Sequence, residues 1–325
     1  MIVKEREKSL YLIKLEKVIA RMTEENLKYP LVYKEFMNHQ AGYRGEQAVD
    51  YYLTFLPKKE YLIFNGIRLE DSLKRFFQID TLVVTPWYIL ILEIKNIIGD
   101  LEFDYKQNQL IRTNDDKLDR MACPITQAKR QRAQLHDWLT QHNFQNIPIE
   151  YQVVIENNHA RIINADRYVY EKVSRHSNIP HIAGSFEEKY SEVIFTEKEL
   201  KKLSKLILKK DTPNLSSPLT QLQIDVSELA KGVQCPHCNT LNMKRLFKVW
   251  FCTTCQFSST TAHITALQDY ALLVSDTISN KELRDFLQLD SISVATKILT
   301  ALQLPTMGAK RNRRYLLIKN NKLLI

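Results

Sequence analysis

Residues 76–96 read FFQIDTLVVTPWYILILEIKN. Two runs rich in Ile, Leu, Val and aromatic residues flank Thr85, Pro86 and Trp87, and this pattern predicts two antiparallel strands joined by a tight connection. A segment as apolar as YILILEI is typical of a strand that is buried on both faces. The stretch therefore predicts the central hairpin of a mixed α/β fold.

Charged residues interrupt this hairpin at Asp80, Glu93 and Lys95. With the turn near Pro86, Asp80 lies almost opposite Glu93, where Cβ atoms are about 5 Å apart, and Glu93 and Lys95 share one face. Paired carboxylates suit Mg²⁺ or Mn²⁺, and a nearby lysine can stabilise transition-state charge or activate water. The pattern predicts metal-assisted phosphodiester hydrolysis. The alternative is a surface ion pair of Glu93 with Lys95 on an edge strand.

A further acid is expected near this cluster. Residues 42–57 show helical periodicity, and Glu46 shares the stripe of Val49 and Leu53, which faces the core. Glu46 then contributes to the metal site or positions water, or else it pairs with Arg44 or ends the stripe at the surface. The predicted helix over 124–141 carries polar side chains that could reach a phosphate or face solvent, namely Gln127, Lys129, Arg130, Gln131 and Arg132.

Four motifs together resemble the nuclease-related domain family, NERD, which is assigned to the PD-(D/E)xK nuclease superfamily. They are RGE at 44–46, QIDTLVV at 78–84, EIKN at 93–96 followed by Gly99, and PITQ at 124–127. The resemblance covers roughly residues 38–160. It implies a restriction-endonuclease-like mixed sheet flanked by helices. It also implies that Asp80 and Glu93 bind the metal, Lys95 assists the water, Glu46 completes the acidic set and Gln127 orients the site. Ile79 stands where the superfamily name implies proline.

Two cysteine pairs predict a structural zinc site. Cys235-Pro-His-Cys238 and Cys252-Thr-Thr-Cys255 are separated by 13 residues, which is the spacing of a zinc ribbon. Four thiolates close a tetrahedral site, so His237 and His263 are expected to be bystanders. Such a site folds a piece that is too small to support its own core.

Positive charge is concentrated in the last part of the chain. Residues 231–325 contain 13 Lys or Arg against 5 Asp or Glu, a net +8 of the formal +9. This imbalance favours a polyanionic partner, although it is also compatible with a solvated surface. A capping box at Ser279 and Glu282, a second helix over 293–302 and a basic loop over 310–314 resemble a helix-turn-helix with a wing. The expected nucleic-acid contacts are Lys244, Arg245, Lys248, Lys297, Lys310, Arg311, Arg313 and Arg314.

These features predict an order of modules along the chain. We expect a helical segment over 1–37, a nuclease domain over 38–210, a linker rich in Pro, Ser and Thr over 211–230, a zinc ribbon over 231–262, and a small helical, winged-helix-like basic domain over 263–325. No segment resembles a signal peptide or approaches the roughly 18 apolar residues of a membrane span, so a cytoplasmic protein is expected.

The resulting functional hypothesis is a Mg²⁺- or Mn²⁺-dependent nuclease that cuts DNA, with RNA left open. The zinc ribbon and the basic C-terminal domain would bind the substrate. Two alternatives remain: a non-catalytic DNA-binding or regulatory protein, and a nuclease active only within a larger defence or repair assembly. A homo-oligomer or partner proteins are also compatible with the sequence.

Overall fold

The computed structural model describes residues 1–57, 60–309, 312–319 and 322–325. Two of the expected nucleic-acid contacts, Lys310 and Arg311, lie outside the described residues. The chain forms two compact units. The first contains Met1–Ser9 and Asn38–Asn214, and the second contains Leu10–Met37 and Leu215–Ile325.

In chain order the strands are β1 (Ile2–Lys4), β2 (Leu62–Glu70), β3 (Phe76–Val84), β4 (Ile89–Lys95), β5 (Gly99–Asp104), β6 (Gln109–Asn114), β7 (Lys117–Ala122), β8 (Ile149–Ile155), β9 (Ala160–Ile163), β10 (Val173–Arg175), β11 (Met243–Leu246), β12 (Val249–Cys252), β13 (Ser258–Ser259), β14 (Thr277–Ile278), β15 (Thr306–Met307), β16 (Arg314–Leu316), β17 (Ile318–Lys319) and β18 (Lys322–Leu323). The α-helices are α1 (Leu10–Arg21), α2 (Tyr29–Leu53), α3 (Pro124–Gln141), α4 (Arg167–Lys172), α5 (Ile179–Lys189), α6 (Glu197–Lys210), α7 (Pro218–Gln221), α8 (Ala262–Leu273), α9 (Asn280–Leu287) and α10 (Ile292–Ala301).

The first unit is built on a six-stranded mixed sheet in the order β1-β2-β3-β4-β8-β10. Strands β2, β3 and β4 are antiparallel neighbours, whereas β4 pairs with β8 and β8 with β10 in parallel. The predicted hairpin is β3–β4. Strand β4 lies between β3 and β8, and its residues are buried except for the half-buried Lys95. The mixed α/β fold predicted from the sequence is therefore confirmed.

Helices cover both faces of this sheet. On one face, Ile89 and Ile91 of β4 share a core with Ile125, Leu135 and Trp138 of α3. On the other face, Leu90 and Leu92 share a core with Val49 and Leu53 of α2 and with residues of α5. Alternate residues of β4 thus serve two cores, which explains why its sequence is almost continuously apolar. A four-stranded sheet, β7-β6-β5-β9, completes the unit.

The second unit combines an N-terminal helix with the C-terminal third of the chain. Tyr11, Leu15 and Val18 of α1 are buried together with Leu219 and with residues of α8. A second core lies between the four-cysteine region and helices α8, α9 and α10. The small sheets are β11-β12-β13, in which β12 ends at Cys252, then β14-β16-β15 and β17-β18. Helix α9 begins with the predicted capping box of Ser279 and Glu282.

A buried ion pair ties α1 to α8 within this unit. Arg21 Nε lies 2.9 Å from Asp269 Oδ2, and both side chains are almost fully buried. Arg21 also donates hydrogen bonds to the carbonyl oxygens of Ala230 and Gly232. Among the described residues, no helix is both long enough and apolar enough to span a membrane.

Candidate active site

A cavity of about 470 Å³ opens where β3 and β4 meet the middle of α2 and the start of α3. The structure brings all five residues expected at the catalytic site to its wall. They are Glu46, Asp80, Glu93, Lys95 and Gln127.

The hairpin register positions the two strand acids. Thr81 pairs with Leu92 in the antiparallel ladder of β3 and β4, and Asp80 and Glu93 are the next residues on the two strands. Asp80 Oδ2 accepts a hydrogen bond of 2.9 Å from the Ile94 N–H, which fixes its carboxylate at the strand end. Glu93 is buried, whereas Asp80 is half-buried. The two acids therefore occupy neighbouring places on adjacent strands.

Lysine and glutamine side chains surround Glu93. Lys95 Nζ lies 2.6 Å from Glu93 Oε1 and donates to Gln127 Oε1 at 3.3 Å. On the other side, Gln131 Nε2 donates to Glu93 Oε2 at 2.7 Å and to the Gln78 carbonyl at 2.8 Å. The ion pair of Glu93 and Lys95 does form, but on a central strand and with a buried carboxylate, not on an exposed edge strand.

Glu46 forms an ion pair with an arginine that lies far from it in the chain. Arg6 Nη1 lies 2.8 Å from Glu46 Oε2 and donates to the Asp80 carbonyl at 3.2 Å. The same guanidinium donates to Asp50 through Nε and to Thr81 Oγ1 through Nη2, and its side chain is 3% exposed. Arg44, the partner expected if Glu46 formed a local pair, is not involved in this network. Arg6 is 40 residues from Glu46 within a charged N-terminal stretch, so no local pattern indicates the contact.

The glycine of the RGE motif determines how closely α2 approaches β4. A Cβ atom at Gly45 would lie 2.4 Å from the Asn96 Cβ. Asn96 in turn donates to the Ala41 carbonyl at 2.9 Å and accepts from Asn157 Nδ2 at 2.9 Å. Only a residue without a side chain fits here. Gly45 thus lets the helix carry Glu46 to the end of the sheet.

The polar side chains of α3 differ in how exposed they are. Gln127 lines the cavity, and Gln131 is buried against Glu93. Lys129, Arg130 and Arg132 are exposed. The spacing of four residues places both glutamines on the same helix face.

The electrostatics of the cavity disfavour negative charge. Burial raises the pKa of Glu93 to about 7; repulsion from Asp80 adds to this, while Lys95 and Gln131 oppose it. Burial likewise raises the pKa of Glu46, with a further contribution from Asp80 and an opposing one from Arg6. Burial also raises the pKa of Asp80, against the effect of Lys95. Because the cavity disfavours the simultaneous ionisation of these three acids, a bound cation would stabilise their charged forms.

The donor chemistry fits a hard divalent cation. Carboxylate oxygens are preferred ligands of Mg²⁺ and Mn²⁺, although Glu93 Oε1 already has the Lys95 ammonium as its ion-pair partner. Within the described part of the chain, however, the four cysteines are the one group of three or more potential ligands whose atoms all lie within 4.8 Å. Glu46, Asp80 and Glu93 line one cavity without converging this tightly, and Glu46 binds Arg6.

The four cysteines have the arrangement of a zinc site. Their Sγ atoms all lie within 4.8 Å of one another, and the Cys235–Cys255 and Cys238–Cys252 pairs are 3.6 and 3.5 Å apart. A tetrahedron with Zn–S bonds of about 2.3 Å has edges of about 3.8 Å. His237 and His263 are not part of the cluster. The cysteine cluster is therefore consistent with structural zinc.

The expected nucleic-acid contacts differ in accessibility. Lys244, Lys248, Lys297 and Arg313 are exposed. Arg245 is half-buried over the Trp250 ring, 5.3 Å from its centroid. Arg314 lies 2.9 Å from Glu282 and donates to Thr277 Oγ1. Arg245 and Arg314 thus have partners within the protein.

Comparison with known proteins identifies a family model that matches the first unit. Residues 41–156 match the family described as NERD, nuclease-related domain. The matched segment contains Glu46, Asp80, Glu93, Lys95 and Gln127, but not Arg6 or the cysteines. Neither the curated proteins nor the solved structures include a match. Residues 41–156 are therefore similar to a nuclease-related domain.

Proposed function

We propose that this chain, which carries a nuclease-related domain at residues 41–156, is a Mg²⁺- or Mn²⁺-dependent nuclease that hydrolyses DNA. One observation carries the proposal. Asp80 lies in the middle of β3, Glu93 and Lys95 lie at the end of the adjacent β4, and all three line a single cavity within the matched segment. Two carboxylates and a lysine in one place supply the groups that metal-assisted phosphodiester hydrolysis needs.

Lys95 acts as a cation in this mechanism. Burial lowers its pKa, but the carboxylates of Glu93 and Asp80 outweigh that effect and hold the pKa above its ordinary value. The ammonium therefore remains protonated at neutral pH. It stabilises negative charge on the phosphate oxygens as the transition state forms, and it does not serve as the base.

The other side chains hold this arrangement in place. A divalent cation bound by Asp80 and Glu93 would act as a Lewis acid and would lower the pKa of an attacking water. Gln131 fixes one oxygen of Glu93, and Gln127 accepts a hydrogen bond from Lys95. Arg6 holds Glu46 and contacts the Asp80 carbonyl. Glu46 is therefore suited to orient water or the substrate.

The second unit would supply affinity for the substrate. Lys244 and Lys248 are exposed beside the cysteine cluster, and Lys297 is exposed on α10. These cations would contact phosphates without reading sequence. Binding that depends on such contacts weakens as salt rises.

The proposal is tested by cleavage assays on the purified full chain. Single-stranded, duplex, nicked and branched DNA, and RNA, are incubated with Mg²⁺ or Mn²⁺. We expect cleavage that is lost in Asp80→Asn, Glu93→Gln and Lys95→Ala. Lys129→Ala is the matched control, because Lys129 is an exposed cation of α3 that does not line the cavity. Absence of cleavage of every substrate with both metals would refute an enzyme that acts alone.

One observation favours a second candidate function, a non-catalytic nucleic-acid-binding protein. Glu46 is occupied by Arg6, and the three acids do not form a tight ligand group. Such a protein would bind DNA without cutting it, and Glu93→Gln would leave its affinity unchanged or improved. In the enzyme, the same substitution abolishes cutting.

A further inference from the structure

The three-stranded sheet of the four-cysteine region has two chemically different faces. Met243 and Trp250 pack inward and are buried, as is Cys252. Side chains alternate along a strand, so the intervening residues point outward. The outer face consists of Lys244, Leu246, Val249, Phe251 and Ser258. Each of these five residues is exposed or half-exposed.

The tip of this sheet presents an aromatic ring to solvent. Leu246 pairs with Val249, so Phe247 and Lys248 form a two-residue connection between β11 and β12. Phe247 is 101% exposed and has a φ of 52°. Such connections favour Gly, Asn or Asp, because a positive φ is unfavourable for a residue with a large side chain. Phe247 therefore combines two unfavourable features, an exposed ring and a strained backbone.

Charge on this region indicates the kind of partner. Residues 231–262 contain four Lys or Arg and no Asp or Glu. Lys244 is the cross-strand partner of Phe251, and Lys248 follows Phe247. A second exposed pair, His237 and Phe257, stacks with ring centroids 5.6 Å apart. Aromatic rings that alternate with cations, without any acid, complement a polyanion that also offers flat apolar surfaces.

We infer that this outer face and its tip bind single-stranded nucleic acid by stacking unpaired bases. The inference rests on the proposed function for the choice of nucleic acid as partner, and it adds the form of the substrate. Phe247 and Phe251 stack on bases, while Lys244 and Lys248 contact the phosphates between them. In a duplex the base faces are already stacked on one another, so the phenyl rings gain nothing there.

The experiment measures binding to the full chain by fluorescence anisotropy, without added Mg²⁺ or Mn²⁺. The probes are a labelled oligothymidylate of about 20 nucleotides and a duplex of the same length. Phe247→Gly should weaken binding of the single strand by about 5- to 100-fold and change duplex binding less than about 2-fold. Phe247→Trp should retain single-strand binding. Phe55→Ala, which removes an exposed ring of the first unit, is the control and should change neither.

Phe247→Gly also separates a binding role from a structural one. Glycine relieves the positive φ, so the thermal midpoint should stay equal or rise, and the zinc content should be unchanged. Single-strand affinity equal to wild type in Phe247→Gly would overturn the inference, as would equal losses for single strand and duplex.

The outcome is independent of the catalytic proposal. If the wild-type protein never cleaves, the proposed nuclease is refuted. If Phe247→Gly nevertheless loses single-strand binding, the stacking surface is supported. If the wild-type protein cleaves, and Phe247→Gly binds the single strand as well as wild type does, the nuclease is supported and the stacking surface is refuted.

Discussion

Gly45→Ala places a methyl group where α2 meets the end of β4. The added Cβ would lie 2.4 Å from Asn96 Cβ, whereas carbon atoms in contact are about 3.5–4.0 Å apart. The helix or Asn96 must therefore shift by roughly 1–1.5 Å. Asn96 is held by hydrogen bonds to Ala41 and Asn157, so the shift weakens at least one of them.

The expected loss of stability follows from opposing contributions. Overpacking costs about 1–3 kcal/mol and a lost hydrogen bond about 1 kcal/mol. The higher helix propensity of alanine returns about 0.5–1 kcal/mol. We expect a net loss of about 1–3 kcal/mol in the free energy of unfolding, measured by urea denaturation. The neighbouring Glu46 moves with the helix, and a displacement of about 1 Å lowers the cleavage rate roughly 100-fold.

Gly184→Ala is the matched control for this substitution. Gly184 also lies within a helix of the first unit, and a Cβ there would meet no atom within 4 Å. Gly184→Ala should raise the free energy of unfolding by about 0.5–1 kcal/mol and leave cleavage unchanged. If Gly45→Ala were as stable and as active as wild type, the close approach of α2 to β4 would not position the site, and the reasoning would be refuted.

Three further outcomes are expected. Arg6→Ala should lower the free energy of unfolding by about 2–4 kcal/mol and reduce cleavage, since it leaves Glu46 and its neighbours unpaired; Arg6→Lys should recover part of the stability in the same urea titration. Removing zinc with a chelator should unfold the cysteine region and shift the emission of Trp250, which is buried there, whereas unchanged emission after complete removal would argue against a structural metal. Because the pKa of Glu93 is raised to about 7 in the folded state, metal-free protein should lose stability as pH rises from about 4.5 to 7. Glu93→Gln should flatten that slope, and Mg²⁺ should reduce it; identical profiles for the variant and wild type would contradict the assigned pKa.

The parts of the site that the sequence predicted are local ones. Asp80, Glu93 and Lys95 belong to one hairpin, so the turn position and the alternation of a strand were sufficient to bring them together. The cysteine cluster was likewise predicted from the short spacing within and between the two cysteine pairs. The burial of β4 followed from its continuous apolar run. In each case, the contacting residues lie close in the chain.

Arg6 and Gln131 show what such reasoning misses. Arg6 meets Glu46 only after β1 has joined the sheet beside β2, a pairing with no local signal. Gln131 was one of several polar residues of α3, and only the packing of that helix shows which of them turns toward Glu93. The association of α1 with α8 depends on contacts between residues nearly 250 positions apart, such as Arg21 with Asp269.

Both compact units are discontinuous in sequence, and this has a practical consequence. The second unit takes Leu10–Met37 from one end of the chain and Leu215–Ile325 from the other. A single proteolytic cut near residue 214 would divide the second unit between two fragments and would not release it intact. The Arg21–Asp269 ion pair and the core around it should hold the two fragments together until denaturant is added. Removing residues 231–325 would instead strip α1 of helix α8 and of Asp269, so the roles of the two units are better separated by point substitutions in the whole chain.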